Sequence, residues 1–403
     1  MFRAGPCSHV SIDDRQTIPM QIRAVREFTA QLRGTIALLV RKFDSRSQRQ
    51  HSRFKDDASL TGNQASRPIS VNCFDRRSFL GFCLTSAAGM WLAAEQPASP
   101  SDGLLSQFQF ESKLWPNLHH FLYILARARN GAPDSARVAV RQAPKDIEGF
   151  DELPASQRKA WDEAVAAYQT HAATLDIGYG SLVDVNYAVA DLAVAQPVEE
   201  AKKIPGPIRD ALAKAGPVYR TLWWPRHDAA NRAWIRQLTP RVEQYGQRIV
   251  DRLTAAFHHS WPTLPLRVEA VAYANPQGAY TTEDPPLIAM SSLNEQHTGV
   301  DGLEQLFHEC SHLMTGTVDA GLTLRTRAAG KNLPREVSHA ILFYTVAETF
   351  RALIPEHVPY PDHYGVWNRG LTHYHDLLQL YWQPYLDGKV TMDEALDHLV
   401  QEI

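Results

Sequence analysis

The chain has 403 residues, of which 44% are hydrophobic and 21% charged, and its formal net charge is −3. This composition is globular, with material for one large domain or two ordinary ones. Residues 1–70 hold twelve Lys/Arg against six Asp/Glu, so the remainder carries 29 basic and 38 acidic side chains and gives no support for nucleic-acid binding. No apolar run is long enough for a membrane span, and four cysteines predict no disulfide framework.

Residues 75–94 resemble a bacterial twin-arginine export signal. The pair Arg76-Arg77 precedes Phe79-Leu80 and a short, moderately apolar stretch. Since such a signal belongs at an N-terminus, we expect residues 1–70 to be a disordered or misassigned extension and the signal peptide to span 71–98. The resemblance implies export to the periplasm and a mature protein without a stable membrane span. The alternative is a chance pair of arginines before a buried helix.

The region from 99 to 260 is predicted to be helical. Apolar residues recur at helical spacing from Gly103 to Asn130. The sequence Ala215-Gly216-Pro217 is expected to end a short helix. Further helices are predicted over 157–175, 181–195, 208–214 and 229–258.

After residue 260 the periodicity becomes strand-like. Three strands, predicted at 266–273, 278–282 and 287–292, should form a small sheet. A helix then begins near Asp301, a glycine-containing loop covers 315–333, and helices follow at 335–353, 365–381 and 392–402. We expect region 261–403 to pack with region 99–260 as one unit. The predicted fold class is mainly α (α+β), with a small β-sheet between helical N-terminal and C-terminal parts.

The stretch Leu306–Met314 carries His-Glu-x-x-His inside an apolar run that is compatible with a helix. Residues four apart lie on one helical face, so His308 and His312 can offer two imidazole nitrogens to one metal ion. Glu309 lies next to the first ligand, where a carboxylate can take a proton from water on the metal. The alternative is a pair of histidines on an ordinary amphipathic helix. Cys310 is interpreted as a small core residue.

A catalytic zinc ion needs three protein ligands, and the helix predicted at 335–353 offers three candidates for the third. Glu336 and His339 share one face of that helix, whereas Glu348 lies almost opposite His339. His339 is the preferred ligand, and Glu336 and Glu348 are the alternatives. Each of the three could instead be a solvated charge or a hydrogen-bond partner of a ligand imidazole.

The region from Leu306 to about Phe350 resembles the zincin metallopeptidases, in which a second helix supplies a ligand to the metal of the His-Glu-x-x-His helix. In the angiotensin-converting-enzyme-like and thimet-oligopeptidase-like groups that ligand is Glu, and Glu336 fits their interval. The position about one turn inside the helix holds His339, which departs from the Glu pattern. Three further segments resemble a group of exported bacterial zincin-like proteins: 338–348, 223–227 and 381–388.

The resemblance implies a zinc-dependent hydrolase with one Zn²⁺ ion, most simply a metallopeptidase that acts on a peptide or small amide. Glu309 would be its general base, and a Tyr or His donor would stabilise the developing oxyanion. Tyr344 is taken as that donor, and the other candidates are Tyr360, Tyr364, His373 and Tyr374. The strand at 287–292 could hold an extended peptide by edge pairing. His227 is a further candidate for contact with the site.

Two other functions fit the same motif. One is a non-catalytic, zinc-stabilised periplasmic binding protein, which needs a closed site with four protein ligands. The other is a zinc hydrolase that acts on a substrate other than a peptide. The sequence assigns neither the substrate nor the oligomeric state.

Overall fold

Helices surround a small mixed sheet in this computed structural model, which describes residues 103–130, 149–173, 183–263 and 265–403, with side chains for all of these except 183–188. The described residues belong to one compact unit, Pro97–Ile403. The α+β fold class expected from the sequence is confirmed. The predicted extension at 1–70 and the export signal at 71–98 lie outside the described residues, so both stay predictions.

The N-terminal part is helical because apolar side chains recur every three to four residues. In one helix of this part, Trp161, Ala164, Val165 and Tyr168 occupy one face and are all buried. The helices are α1 (Leu114–Arg129), α2 (Ala155–His171), α3 (Val183–Val194), α4 (Gly206–Leu222) and α5 (Trp224–Phe257).

The sheet has four strands in the described residues, β1 (Phe108–Glu111), β2 (Leu266–Val271), β3 (Ala279–Glu283) and β4 (Pro286–Ser291), in the order β1-β2-β4-β3. The pairs β1–β2 and β2–β4 are parallel, and β3–β4 is antiparallel with Thr281 opposite Ile288. Strand β3 is therefore an edge of the sheet.

Helices cover both faces of the sheet, and the side chains of each strand alternate between these two faces. Leu266, Val268 and Ala270 face a front layer that includes most of α5 and the helices C-terminal to the sheet. Tyr280 and Ala289 face a rear layer made by α1, α2, α3 and α4. The sheet thus separates two apolar cores.

The C-terminal part is again helical. Its elements are α6 (Gly299–Ser311), α7 (Gly316–Ala328), α8 (Glu336–Leu353), α9 (Tyr360–His363), α10 (Thr372–Leu377), a π-helix (Leu378–Trp382), α11 (Gln383–Leu386) and α12 (Met392–Glu402). Among the helices that the structure describes, none combines the length and apolarity needed to cross a bilayer.

Three sequence predictions need correction in the N-terminal part. Phe108 and Phe110 belong to β1 rather than to a helix, because they alternate and pair with β2. Helix α4 runs through Pro217 to Leu222, since its buried face offsets the hydrogen bond that proline cannot donate. Helix α5 begins at Trp224, ahead of the predicted start at Ala229, and contains Pro240.

Two predictions need correction in the C-terminal part. The segment 315–333, for which the sequence predicts a loop, contains α7, which buries Val318, Leu322 and Thr326 at a spacing of four. The helix predicted at 365–381 begins only at Thr372, and α10, the π-helix and α11 then follow one another without a break to Leu386. The helices predicted near Asp301, at 335–353 and at 392–402 are confirmed within two residues.

Candidate metal centre

Helix α6 presents the His-Glu-x-x-His motif because its opposite face is buried. Leu303, Leu306, Phe307 and Cys310 are fully buried in the front layer. This packing fixes the rotation of α6 about its axis and therefore the direction in which His308 points. The helix ends at Ser311, so the second histidine of the motif is the C-cap residue.

Three imidazoles meet between α6 and α8. His308, His312 and His339 each offer a ring nitrogen, and these nitrogens all lie within 4.8 Å of one another. The ring centroids are 5.1 Å apart for His308 and His312, 5.3 Å for His308 and His339, and 5.2 Å for His312 and His339. The structure therefore brings together both histidines of the motif and the preferred third ligand.

The geometry and protonation of this group fit a zinc ion. The Nε2 atoms of His308 and His339 are 3.2 Å apart, and two nitrogens bound tetrahedrally to one Zn²⁺ lie about 3.3 Å apart. Burial lowers the pKa of His312 to about 3 and that of His339 to about 4. Burial also lowers the pKa of His308 well below its usual range. All three rings are therefore neutral at pH 7, with lone pairs available to a cation.

The two alternative ligands lie elsewhere on α8. Glu336 is exposed in the first turn of the helix, where an acidic side chain suits the helix dipole. Glu348 accepts a hydrogen bond from Nε of Arg351 at 3.0 Å. Nine residues at about 100° each place Glu348 on the side of α8 opposite His339. Neither glutamate belongs to the group of possible ligands found in the described residues.

Glu309 follows His308 on α6 and is buried, with 5% of its surface exposed. Burial raises its pKa to about 7, and a hydrogen bond from Thr281 acts in the opposite direction. The Thr281 hydroxyl, on β3, lies 2.7 Å from Oε2 of Glu309 and 2.9 Å from its main-chain oxygen. Sequence reasoning did not identify Thr281, because its contact with Glu309 joins a strand to a helix 28 positions later.

Phe343 is a second residue that sequence reasoning missed. Its ring centroid is 4.1 Å from that of His308 and 4.7 Å from that of His339. It lies one turn after His339 on α8, and this spacing of four is the signal that could have identified it. The ring forms an apolar wall that restricts the orientation of both imidazoles.

The structure does not bring Tyr344 into contact with the imidazoles. Its hydroxyl donates to Oε1 of Gln383 at 2.8 Å, and five residues at about 100° each turn it well away from His339 on α8. Tyr360 lies nearer the motif: its backbone N–H donates to Oε2 of Glu304, one turn before His308. Burial raises the pKa of Tyr360 to about 12, and the Glu309 charge contributes to that shift.

The remaining sequence candidates occupy other places. The Tyr364 hydroxyl donates to Oδ2 of Asp301 at 2.8 Å. His373 is exposed and Tyr374 half-buried, both in α10. His227 is fully buried in the rear layer, where its Nδ1 lies 2.8 Å from the hydroxyl of Tyr219. None of these four residues belongs to the imidazole group in the part of the chain that is described.

The centre thus combines a three-nitrogen donor set for a divalent cation with a neighbouring carboxyl group that can exchange a proton. No protein-family model, no curated protein and no solved structure matches this chain.

Proposed function

We propose that the chain is a zinc-dependent hydrolase, and specifically a metallopeptidase. The observation that carries this proposal is the convergence of His308, His312 and His339, together with the buried carboxyl group of Glu309, the residue that follows His308 on α6. Three neutral imidazoles suit Zn²⁺, and a carboxylate next to the first of them suits a general base.

The number of ligands favours a catalytic site over a purely structural one. A structural zinc site has four protein ligands, whereas a catalytic site has three and keeps one position for water or substrate. Within the described residues the group of possible ligands has three members. This count supports the hydrolase over the zinc-stabilised binding protein.

The position of the sheet edge favours a peptide as the substrate. The edge next to the motif is β3, whereas β4, which covers all but the last residue of the strand predicted at 287–292, lies inside the sheet between β2 and β3. An edge strand can pair with an extended peptide through main-chain hydrogen bonds. Because Thr281 of β3 contacts Glu309, a peptide on this edge would pass close to the proposed base.

The mechanism assigns one task to each group. Bound by the three imidazoles, a zinc ion would act as a Lewis acid that makes water a better nucleophile and a carbonyl a better electrophile. The Glu309 carboxylate takes a proton from the attacking water and later gives it to the leaving amine. Phe343 holds the faces of His308 and His339 and keeps water away from that side of the rings.

The first prediction tests the general base. Glu309→Gln should keep one equivalent of zinc but lose at least about a hundredfold in peptide cleavage, because the amide cannot accept the proton of water. Zinc content and turnover would be measured on panels of quenched fluorescent peptides, esters and cell-wall fragments. The matched control is Glu336→Gln, an identical change at an exposed position, which should behave as wild type. Wild-type turnover by Glu309→Gln would refute the proposed mechanism. If the wild type cleaves esters or cell-wall fragments but no peptide, the proposed peptide substrate is refuted.

A further inference from the structure

The Thr281 hydroxyl makes the closest described side-chain contact to the proposed base. Its oxygen is 2.7 Å from Oε2 of Glu309 and 2.9 Å from the main-chain oxygen of the same residue. Glu309 is almost fully buried, so little water is available to replace this contact. The direction of the carboxylate therefore depends on Thr281.

A hydroxyl group suits this place because it can both donate and accept. While Glu309 is ionised, the Thr281 hydroxyl donates to Oε2. After Glu309 has taken a proton, its O–H can donate to Oγ1 of Thr281, and the threonine proton then turns to the main-chain oxygen of Glu309. The same heavy-atom positions thus serve the carboxyl group before and after proton transfer.

A hydrogen bond on the rear face of the sheet anchors strand β3. Nδ1 of His120 lies 2.6 Å from the main-chain oxygen of Pro116, which can only accept, so Nδ1 carries the proton. Nε2 of His120 therefore accepts from the hydroxyl of Tyr280 at 2.9 Å. Tyr280 precedes Thr281 and faces the rear layer. The strand that carries Thr281 is thus tied to α1 by a fully buried hydrogen bond.

We infer that Thr281 is a positioning residue that fixes the Glu309 carboxyl group for proton transfer. The inference rests on the proposed hydrolase function, since it assigns Thr281 a role through the general base. The Thr281 hydroxyl binds neither metal nor substrate in this scheme. Its removal should therefore lower kcat and leave KM and zinc content unchanged.

The test compares variants at two neighbouring threonines. Thr281→Val removes the hydroxyl at nearly constant volume and should lower kcat by about tenfold to a hundredfold, with KM within about twofold of wild type. Thr281→Ser restores the hydroxyl and should recover kcat to within about threefold. Thr282→Val is the matched control, because Thr282 lies on the same strand, donates to the oxygen of Pro285 at 2.7 Å and faces away from Glu309. Thr281→Ala provides a second hydroxyl-free variant should the valine not fold.

Turnover would be measured on the quenched fluorescent peptide that the wild type cleaves fastest, and crystal structures of the zinc-loaded variants would locate the Glu309 carboxyl group. A carboxyl group that turns away in Thr281→Val and keeps its place in Thr281→Ser supports the inference. Unchanged kcat and carboxyl position in Thr281→Val would overturn it, as would an equal loss in Thr282→Val or no recovery in Thr281→Ser. A wild type that cleaves no peptide would instead refute the proposed function, and the carboxyl positions would still decide whether Thr281 holds Glu309.

Discussion

His339 completes the imidazole group from the first turn of α8, so its ring should be essential for metal binding. In His339→Ala we expect zinc affinity to fall by more than about a hundredfold. Loss of a residue that only hydrogen-bonds to a ligand lowers metal affinity by about tenfold to a hundredfold, and loss of a ligand itself should cost more. Zinc would be measured by metal analysis after dialysis and by competition with a chromophoric chelator.

Glu336→Ala and Glu348→Ala are the controls for this experiment, because the structure places both carboxylates away from the three imidazoles. Both variants should keep one equivalent of zinc. Full zinc binding by His339→Ala, together with loss in either glutamate variant, would show that a glutamate is the third ligand.

Residues of one helix were predictable, whereas contacts between elements were not. A spacing of four on one helix is local, so His308, Glu309 and His312 could be identified from the sequence alone. For the third member of the imidazole group the sequence leaves three candidates open, because the face that α8 turns towards α6 depends on packing. Thr281 contacts the motif only through tertiary structure, so a sequence pattern could not single it out. The sequence signal for Phe343 is its spacing of four from His339.

At the scale of elements, glycines explain two of the failed sequence predictions, the loop at 315–333 and the helix end at 215–217. Gly316 starts α7 and Gly330 follows its end, so both are boundaries of a helix rather than signs of a loop. Gly321 lies inside α7, where a Cβ atom would come within 2.7 Å of Cδ1 of Leu396. Likewise, Gly216 inside α4 leaves room for the ring of Trp115. These glycines permit close packing between elements, which composition alone does not distinguish from flexibility.

The sheet contains a buried carboxyl group that should make stability depend on pH. Glu269 on β2 is fully buried, and its strand partner on β1 is Glu111. Within the described residues neither oxygen of Glu269 has a hydrogen-bond donor, so it gains a bond to Glu111 only when it is itself protonated. Burial and the charge of Glu111 raise the pKa of Glu269 from 4.5 to about 8, against the opposite effect of Arg267 and Lys113.

The direction of the pH effect follows from the pKa of Glu269, which is 4.5 in the unfolded chain and about 8 in the folded chain. Between pH 4.5 and 8 the folded chain keeps the Glu269 proton while the unfolded chain releases it. The stability due to this proton is therefore complete below pH 4.5 and is lost as the pH rises through about 8. Near pH 4.5 the free energy of unfolding of Glu269→Gln should equal that of the wild type. Near pH 8 it should be higher than that of the wild type by up to a few kcal/mol, since one pKa unit corresponds to about 1.4 kcal/mol.

Urea unfolding at several pH values measures this difference, and the exposed carboxylate Glu283 on β3 supplies the control. Glu283→Gln should leave the pH dependence of the wild type intact. A Glu269→Gln variant that follows the wild-type curve at every pH would show that Glu269 ionises normally in the fold.

At the scale of the whole molecule, metal binding should stabilise the fold. Helices α6 and α8 both contribute to the front core, and α8 packs against α6 and α5. A ligand that binds the folded state alone, at a hundred times its dissociation constant, stabilises that state by about 2.7 kcal/mol. Zinc should therefore raise the melting temperature by roughly 5–10 °C, at about 2–4 °C per kcal/mol for a large domain.

Calorimetry with added zinc and with a chelator would measure this shift, and His339→Ala serves as the control that lacks one ligand. The variant should melt at one temperature under both conditions. An equal zinc-induced shift in the variant and the wild type would place the stabilising ion elsewhere in the molecule.

The turn between β3 and β4 links surface evolution to the chemistry of the site. Asp284 and Pro285 form a two-residue connection, since Glu283 pairs with Pro286. Insertions and deletions are usually tolerated in such exposed turns. A one-residue deletion absorbed by sliding β3 towards the turn would exchange the two faces of the strand, and the Tyr280 phenol would then replace the Thr281 hydroxyl beside Glu309. Under the proposed function, a deletion in this turn should therefore lower catalysis, although neither turn residue belongs to the imidazole group.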